Sequence, residues 1–151
     1  MSDSIKIKII NIDERNPLPS YKTEGAAGLD LYASLPNGVT QINLAPGEFT
    51  KIDAGIKVQV PDGYMLNIYA RSGLASKYNL TLSNSVGVVD YGYLDPIGVL
   101  LSNHGNKTLV IRQGDRIAQA ILMPIPLVEW EVVDTFADVF NRGGGFGSTK
   151  V

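Results

Sequence analysis

Four segments of this 151-residue chain hold side chains whose types and spacing could do chemistry. In ARSGLASK, residues 70–77, Arg71, Ser72 and Gly73 fall between a β-rich run and a short helical pattern. Backbone N–H groups at a helix start, with an arginine beside them, make a small anion site. A Ser72 N-cap with a surface arginine is the plainer alternative. In GVVDYGY, residues 87–93, an apolar run ends on Asp90, flanked by Tyr91 and Tyr93. A carboxylate there either forms a turn or serves as a base tuned by its surroundings. In GDRIAQAIL, residues 114–122, Asp115 and Arg116 suit an ion pair. Alternation there puts Gln119 on one strand face with Ile117 and Ile121. In RGGGFGSTK, residues 142–150, the Gly-rich backbone can wrap an anion with its N–H groups. It does not match the G-x-x-x-x-G-K-S/T loop, because the order is Gly147-Ser148-Thr149-Lys150. Phe146 has no local core to join, so it packs on a ligand or another subunit unless this end is disordered. Together, three segments with anion donors and one with a carboxylate suggest an enzyme acting on a phosphate-bearing small molecule.

The elements that must position these residues read as β-structure. Ile5, Ile7 and Ile9 alternate with Lys6 and Lys8, the pattern of a half-buried strand. Further β-rich runs lie at residues 58–60, 65–70, 80–83, 108–112, 117–123 and 128–133, separated by Gly, Pro, Asn and Asp turn signals. Only residues 72–78 read as helix. His104 is expected in a surface turn, and Trp130 in the core or an interface. The composition is that of one globular domain, 44% hydrophobic and 19% charged. A net charge of -2 gives no global field for nucleic acid, so any polyanion must be held by a local cluster. With no cysteine and one histidine, thiol catalysis, thiolate metal sites and multi-histidine metal sites are excluded. No run approaches the roughly 20 apolar residues of a membrane span, and no signal-peptide pattern is present. The expectation is a soluble, cytoplasmic or nuclear protein that is not secreted, with no stable nucleic acid or membrane partner.

As a set, the segments resemble the five ordered motifs of the homotrimeric dUTP pyrophosphatases (dUTPases). AGLDLYAS, residues 27–34, resembles the first motif and ARSGLASK the second. SNSVGVVDYGY, residues 83–93, resembles the third, GDRIAQAIL the fourth and RGGGFGST the fifth. The resemblance implies an all-β, jelly-roll-like β-barrel of short strands, with one short helix and a C-terminal arm. Residues 1–138 would form the barrel domain. Residues 139–151 would form a Gly-rich arm closing a neighbouring subunit's active site. Each site of the homotrimer would take motifs one, two and four from one subunit, motif three from a second and the arm from a third. The reaction would be dUTP plus water to dUMP plus pyrophosphate. This keeps uracil out of DNA and supplies dUMP for thymidylate synthesis. Mg2+ would be held by the triphosphate and waters, with no direct protein ligand.

Residue by residue, the resemblance makes Asp90 the base that aims water at the α-phosphorus. Tyr93 would pack under the deoxyribose and exclude a 2′-OH. Asn84 would sit at the uracil pocket, with backbone groups of Ser85, Gly87 and Val88 reading the base edge and Phe146 stacking on it. Arg71, Ser72, Gly73, Gln119, Arg142, Gly147, Ser148 and Thr149 would bind phosphate. Asp30 and Asp115 would order the phosphate-binding arginines and the waters of Mg2+. Two departures stand out. Leu94-Asp95-Pro96 replaces the family's usual Arg-Gly-Glu run, and the fifth motif is one residue short. The related dCTP deaminases resemble this chain less: their glutamate falls at Leu100, and their Arg-Ser-Ser becomes Arg71-Ser72-Gly73. A nucleotide-binding module on the same fold is the non-enzymatic alternative.

Overall fold

The computed structural model describes residues 4–136, 140 and 143 of the 151. Among them are eleven strands and one helix. The strands are β1 (Lys8–Asn11), β2 (Leu29–Tyr32), β3 (Gln41–Leu44), β4 (Phe49–Asp53), β5 (Ile56–Gln59) and β6 (Tyr64–Tyr69). The helix α1 (Ser72–Tyr78) is followed by β7 (Leu80–Leu82), β8 (Gly87–Val89), β9 (Gly98–Asn103), β10 (Leu109–Arg112) and β11 (Arg116–Pro124). All pairings are antiparallel. They form four open sheets, β1-β5, β10-β3, β2-β11-β6-β8 and β4-β9-β7. Inward side chains of all four meet in one hydrophobic core, including Leu31, Ile52, Val58, Leu66, Leu101, Ile111 and Ala120. The all-β class and the single short helix are as expected. The helix begins at Arg71, which caps it without a side-chain hydrogen bond, so Ser72 is its first residue and not its cap.

Two expected strands differ. The N-terminal strand runs over Lys8–Asn11 and not from Ile5, and all four of its residues are exposed. It lies at an edge, paired on one side only, with β5. Of the three alternating isoleucines, Ile7 is the one packed against the core. Residues 128–133 form no strand, because the chain has left the sheet after Pro124 and finds no strand partner among the described residues. Trp130 is accordingly 87% exposed, and not in the core.

β11 is the longest strand and pairs with β2 on one side and β6 on the other. Its register against β2 slips by one residue between Arg116 and Ala118. In a regular strand, residues three apart point to opposite faces. The bulge at Ile117 cancels that rule. Arg116 stands opposite Tyr32 and Gln119 opposite Asp30, all on the outer face, while Ile117 turns into the core.

A buried polar knot fixes the segments that flank β2 and β11. The Asp13 carboxylate accepts hydrogen bonds from Arg15 Nε and Nη2 (both 2.7 Å), Ser34 Oγ (2.6 Å) and Gln113 Nε2 (3.1 Å). Gln113 Oε1 accepts from the Leu35 N–H at 2.7 Å, and Asn16 Nδ2 donates to the Ala33 carbonyl at 2.9 Å. The Arg15 guanidinium holds the Asp13 carboxyl far below the usual carboxylate range, against the opposing effect of burial, with Ser34 and Gln113 assisting. Because the folded-state value is lowered, this stabilisation is complete above the unfolded value of about 4 and is lost as pH falls below it. Asp13→Ala is expected to cost about 1–3 kcal/mol at neutral pH, by leaving buried donors unpaired. Asp13→Asn should flatten the loss of melting temperature between neutral and acid pH. Parallel melting-versus-pH curves for Asp13→Asn and the wild type would count against this account.

Candidate active site

Three separate stretches of chain converge on the outer face of the β2-β11-β6-β8 sheet. β2 supplies Asp30, the end of β6 leads into Arg71, and β11 supplies Arg116 and Gln119. The Asp30 carboxylate is buried and paired twice: Oδ1 lies 3.4 Å from Arg71 Nε, and Oδ2 accepts from Arg116 Nη1 at 2.9 Å. Arg71 Nη1 also donates to the Arg116 carbonyl at 2.9 Å. A bidentate acceptor between two guanidiniums fixes both planes. Gln119 Nε2 donates to the Ala70 carbonyl at 3.1 Å, which ties β11 to the residue before Arg71.

Asp30, Arg71 and Gln119 line an open cavity of about 320 Å³, with Ser72, Gly73 and the 22–28 loop as its other walls, while Arg116 stands outside this lining. Gly28 makes room for Gln119, since a Cβ there would lie 2.5 Å from Gln119 Oε1. Of the residues expected to bind phosphate, the structure thus brings Arg71, Ser72, Gly73 and Gln119 together, with Asp30 behind them. Asp115 does not join them. Its Oδ2 accepts from the Arg112 N–H at 2.8 Å, closing the turn before β11, and the expected partner Arg116 pairs with Asp30 instead. Gln119 shares its face with Ile121 but not Ile117, because of the bulge. The sequence reading missed Gly28 and Arg116. A glycine directly before a strand was the signal for the first. The second depended on a bulge that the alternation conceals.

The other expected residues lie elsewhere in the same sheet. β8 is the edge strand opposite β2. Among the described residues its outer edge has no strand partner, so its backbone N–H and C=O groups on that side are left out of the ladder. Before it, Ser85 adopts a left-handed conformation (φ 61°), with its N–H bonded to the Leu82 carbonyl. Asn84 and Val88 are exposed and Gly87 half-buried. Asp90 follows β8 and is exposed. Its carbonyl accepts from the Tyr93 N–H at 3.2 Å, with Gly92 at φ 87° in the third position, the requirement of a type II turn. The Tyr93 hydroxyl donates to the Pro96 carbonyl at 3.2 Å, so the unusual Leu94-Asp95-Pro96 segment anchors this ring. β8 pairs directly with β6, Val89 standing opposite Leu66, and Arg71 lies five residues beyond Leu66, about 17 Å along the strand direction. Asp90 follows Val89 in the opposite direction, so within one chain it stands away from Arg71. Arg142, Phe146, Gly147, Ser148 and Thr149 lie outside the described residues.

An all-β domain with an arginine-lined cavity on the outer face of one sheet and a carboxylate-bearing hairpin after its edge strand β8 has the make-up of a phosphate-binding protein. The dUTPase family model matches residues 14–150. The chain is 43% identical to the deoxyuridine 5'-triphosphate nucleotidohydrolase of Desulfitobacterium hafniense, over 99% of both chains. It is also 43% identical to that of Ehrlichia canis, over 97% of this chain and 96% of the relative. The fold matches the dUTPase of Staphylococcus bacteriophage 80alpha, solved with dUpNHpp, at a TM-score of 0.82 and 24% identity, over 96% of this chain and 98% of that one. A dUTPase from phage phi11 of S. aureus, described with a structural Mg(II) ion, matches at a TM-score of 0.76 and 23% identity, over 88% of this chain and 99% of that one. The chain belongs to the dUTPase family.

Gly28→Ala is expected to push the Gln119 side chain off the Ala70 carbonyl while leaving the core untouched. The Gln119 side-chain amide resonances should shift, with a change in melting temperature of no more than about 4 °C. Unmoved resonances would show that Gln119 does not depend on this gap.

Proposed function

We propose that this protein hydrolyses dUTP to dUMP and pyrophosphate at sites shared between copies of the chain. The observation that carries the reading is the match, across nearly the whole chain, to named deoxyuridine triphosphate nucleotidohydrolases. Within it, the Arg71–Ser72–Gly73–Gln119 cavity is the phosphate-binding half of the site. Its guanidinium and amide donors stabilise the charge that develops on the phosphate oxygens. The hairpin is the other half. There the Asp90 carboxylate takes a proton from water as the water oxygen bonds to the α-phosphorus, and the bond to the bridging oxygen breaks with pyrophosphate leaving. Asn84 and the free backbone edge of β8 read the uracil, and Tyr93, held by the Pro96 carbonyl, walls the deoxyribose. Asp30 orients Arg71 and Arg116 and does not touch the substrate.

Because Asp90 and Arg71 lie toward opposite ends of the paired strands β8 and β6, the site is completed by a second chain. The family resemblance makes the assembly a homotrimer and residues 139–151 the arm that closes a neighbour's site. A row of exposed apolar side chains, Leu127 (98%), Trp130 and Val132 (94%), supports association, since such contiguous surface marks contact sites. Among the described residues no three or more His, Cys, Asp or Glu side chains gather as a metal site, and both Asp30 oxygens are engaged by arginines. This donor set fits Mg2+ carried on the triphosphate with its own waters. When bound, the ion would neutralise phosphate charge. No helix among the described residues is long and apolar enough to cross a membrane. We place the protein in the cytoplasm or nucleus, not secreted, where its reaction keeps uracil out of DNA and supplies dUMP for thymidylate synthesis.

Pyrophosphate release should occur from dUTP with Mg2+ and not from dTTP, dCTP, UTP or dATP. Release from none of them, with dUTP still bound, would make the protein a binding module. Asp90→Asn should lower turnover by about 10²–10⁴ with nucleotide affinity kept. Unchanged turnover would remove Asp90 as base. Sedimentation should give three times the 16.3 kDa chain mass, and a monomer with full activity would end the shared-site account.

A further inference from the structure

The phosphate cavity has one lining cation that the mechanism above does not use. Lys22 lies in the loop before β2, and its ammonium nitrogen sits 5.5 Å from the centroid of the Tyr32 ring. Tyr32 is buried, two residues from Asp30 on the same strand face, and stands opposite Arg116 in the register. A cation over an aromatic face is held there by the ring quadrupole without losing its charge. Tyr32 thus keeps the ammonium at the wall of the cavity formed by Asp30, Arg71, Ser72 and Gln119. Among the described residues, no carboxylate lies within ion-pair distance of Lys22. Lys22 and Arg71 therefore line this cavity with one carboxylate, Asp30, which is already paired with Arg71 and with Arg116 outside the lining. An uncompensated pair of positive charges in one place is unfavourable unless an anion joins them. In a chain whose net charge is -2, such a surplus is made locally and not by the chain as a whole.

We propose that Lys22 is a substrate-binding residue, the additional cation that draws the polyphosphate of the nucleotide into this cavity. The proposal rests on the dUTP reading for the identity of the anion. Lysine brings a hydrated point charge and Arg71 a planar fork, so the two play different parts. Lys22 acts by attraction alone. An interaction that binds substrate and transition state alike raises KM when lost and leaves kcat in place. Its pull scales with the charge of the ligand, so a triphosphate feels it more than a monophosphate.

The test compares the full-length wild type with Lys22→Ala, Lys22→Met and Lys22→Arg. Steady-state pyrophosphate release from dUTP with Mg2+ is measured at low and high salt. Binding of α,β-imido-dUTP and of dUMP is measured by calorimetry. Lys22→Ala and Lys22→Met are expected to raise KM roughly fivefold at low salt, with kcat within about twofold, as for one partly solvated charge contact. Both should show a shallower salt dependence and lose more affinity for the imido analogue than for dUMP, and Lys22→Arg should behave as wild type. Methionine keeps an apolar stem to pack on Tyr32, so a normal KM in Lys22→Met beside an impaired Lys22→Ala would make the role one of packing and overturn the proposal. Equal KM and salt slopes in all variants would also overturn it. If the wild type binds the analogue but releases no pyrophosphate, the hydrolase reading fails and the binding data alone decide on Lys22. If it binds neither nucleotide, both fall.

Discussion

The site depends on one carboxylate. Asp30 is buried behind the cavity and faces two guanidiniums that come from different parts of the chain. Without Asp30, Arg71 and Arg116 would repel each other at short range. Without the arginines, Asp30 would be a buried unpaired charge, which costs several kcal/mol. The arrangement stands only as a triad, and the triad leaves a net positive charge toward the cavity. That surplus lets a mildly acidic protein hold a polyanion: the field is made locally, by a few groups fixed in place, and not by the chain as a whole.

What fixes the groups is the backbone beneath them. The bulge at Ile117 brings Arg116 and Gln119 to one face, opposite Tyr32 and Asp30. The Asp13 knot then holds the ends of both strands, through Ser34 after β2 and Gln113 before β11. A slip of one residue in β11 would send Gln119 into the core and Ala120 outward. The knot and the core therefore protect the register, and the register protects the site. A structural ion pair and a cavity-lining amide far from it are linked through the strand they share.

Much of this was legible in the sequence, and the exceptions have physical reasons. Helix 72–78 and the strands at 80–82, 109–112 and 116–124 follow from alternation and turn chemistry. The convergence of Asp30, Arg71, Ser72 and Gln119 was visible only through the family resemblance, because it depends on strand pairing across some 90 residues of chain. Alternation misplaced Ile117 because a bulge changes the period by one residue without any change in residue type. It also promised a strand at residues 128–133, where a β-rich run is present but no partner strand stands among the described residues. Trp130 followed the same logic. Of the two expected places, core or interface, its exposure together with its apolar neighbours excludes only the core.

The same sheet that assembles one half of the site keeps the other half away. β8 pairs antiparallel with β6, so the chain runs from Val89 to Asp90 in the direction opposite to that in which β6 runs on to Arg71. The two lie about 17 Å apart along the strands, farther than a single side chain reaches. Domain closure is no remedy either, because both strands belong to one continuous hydrogen-bonded sheet around one core. That separation is what a site shared between copies of the chain would resolve, and the exposed apolar residues beyond β11 are surface that such an association would cover.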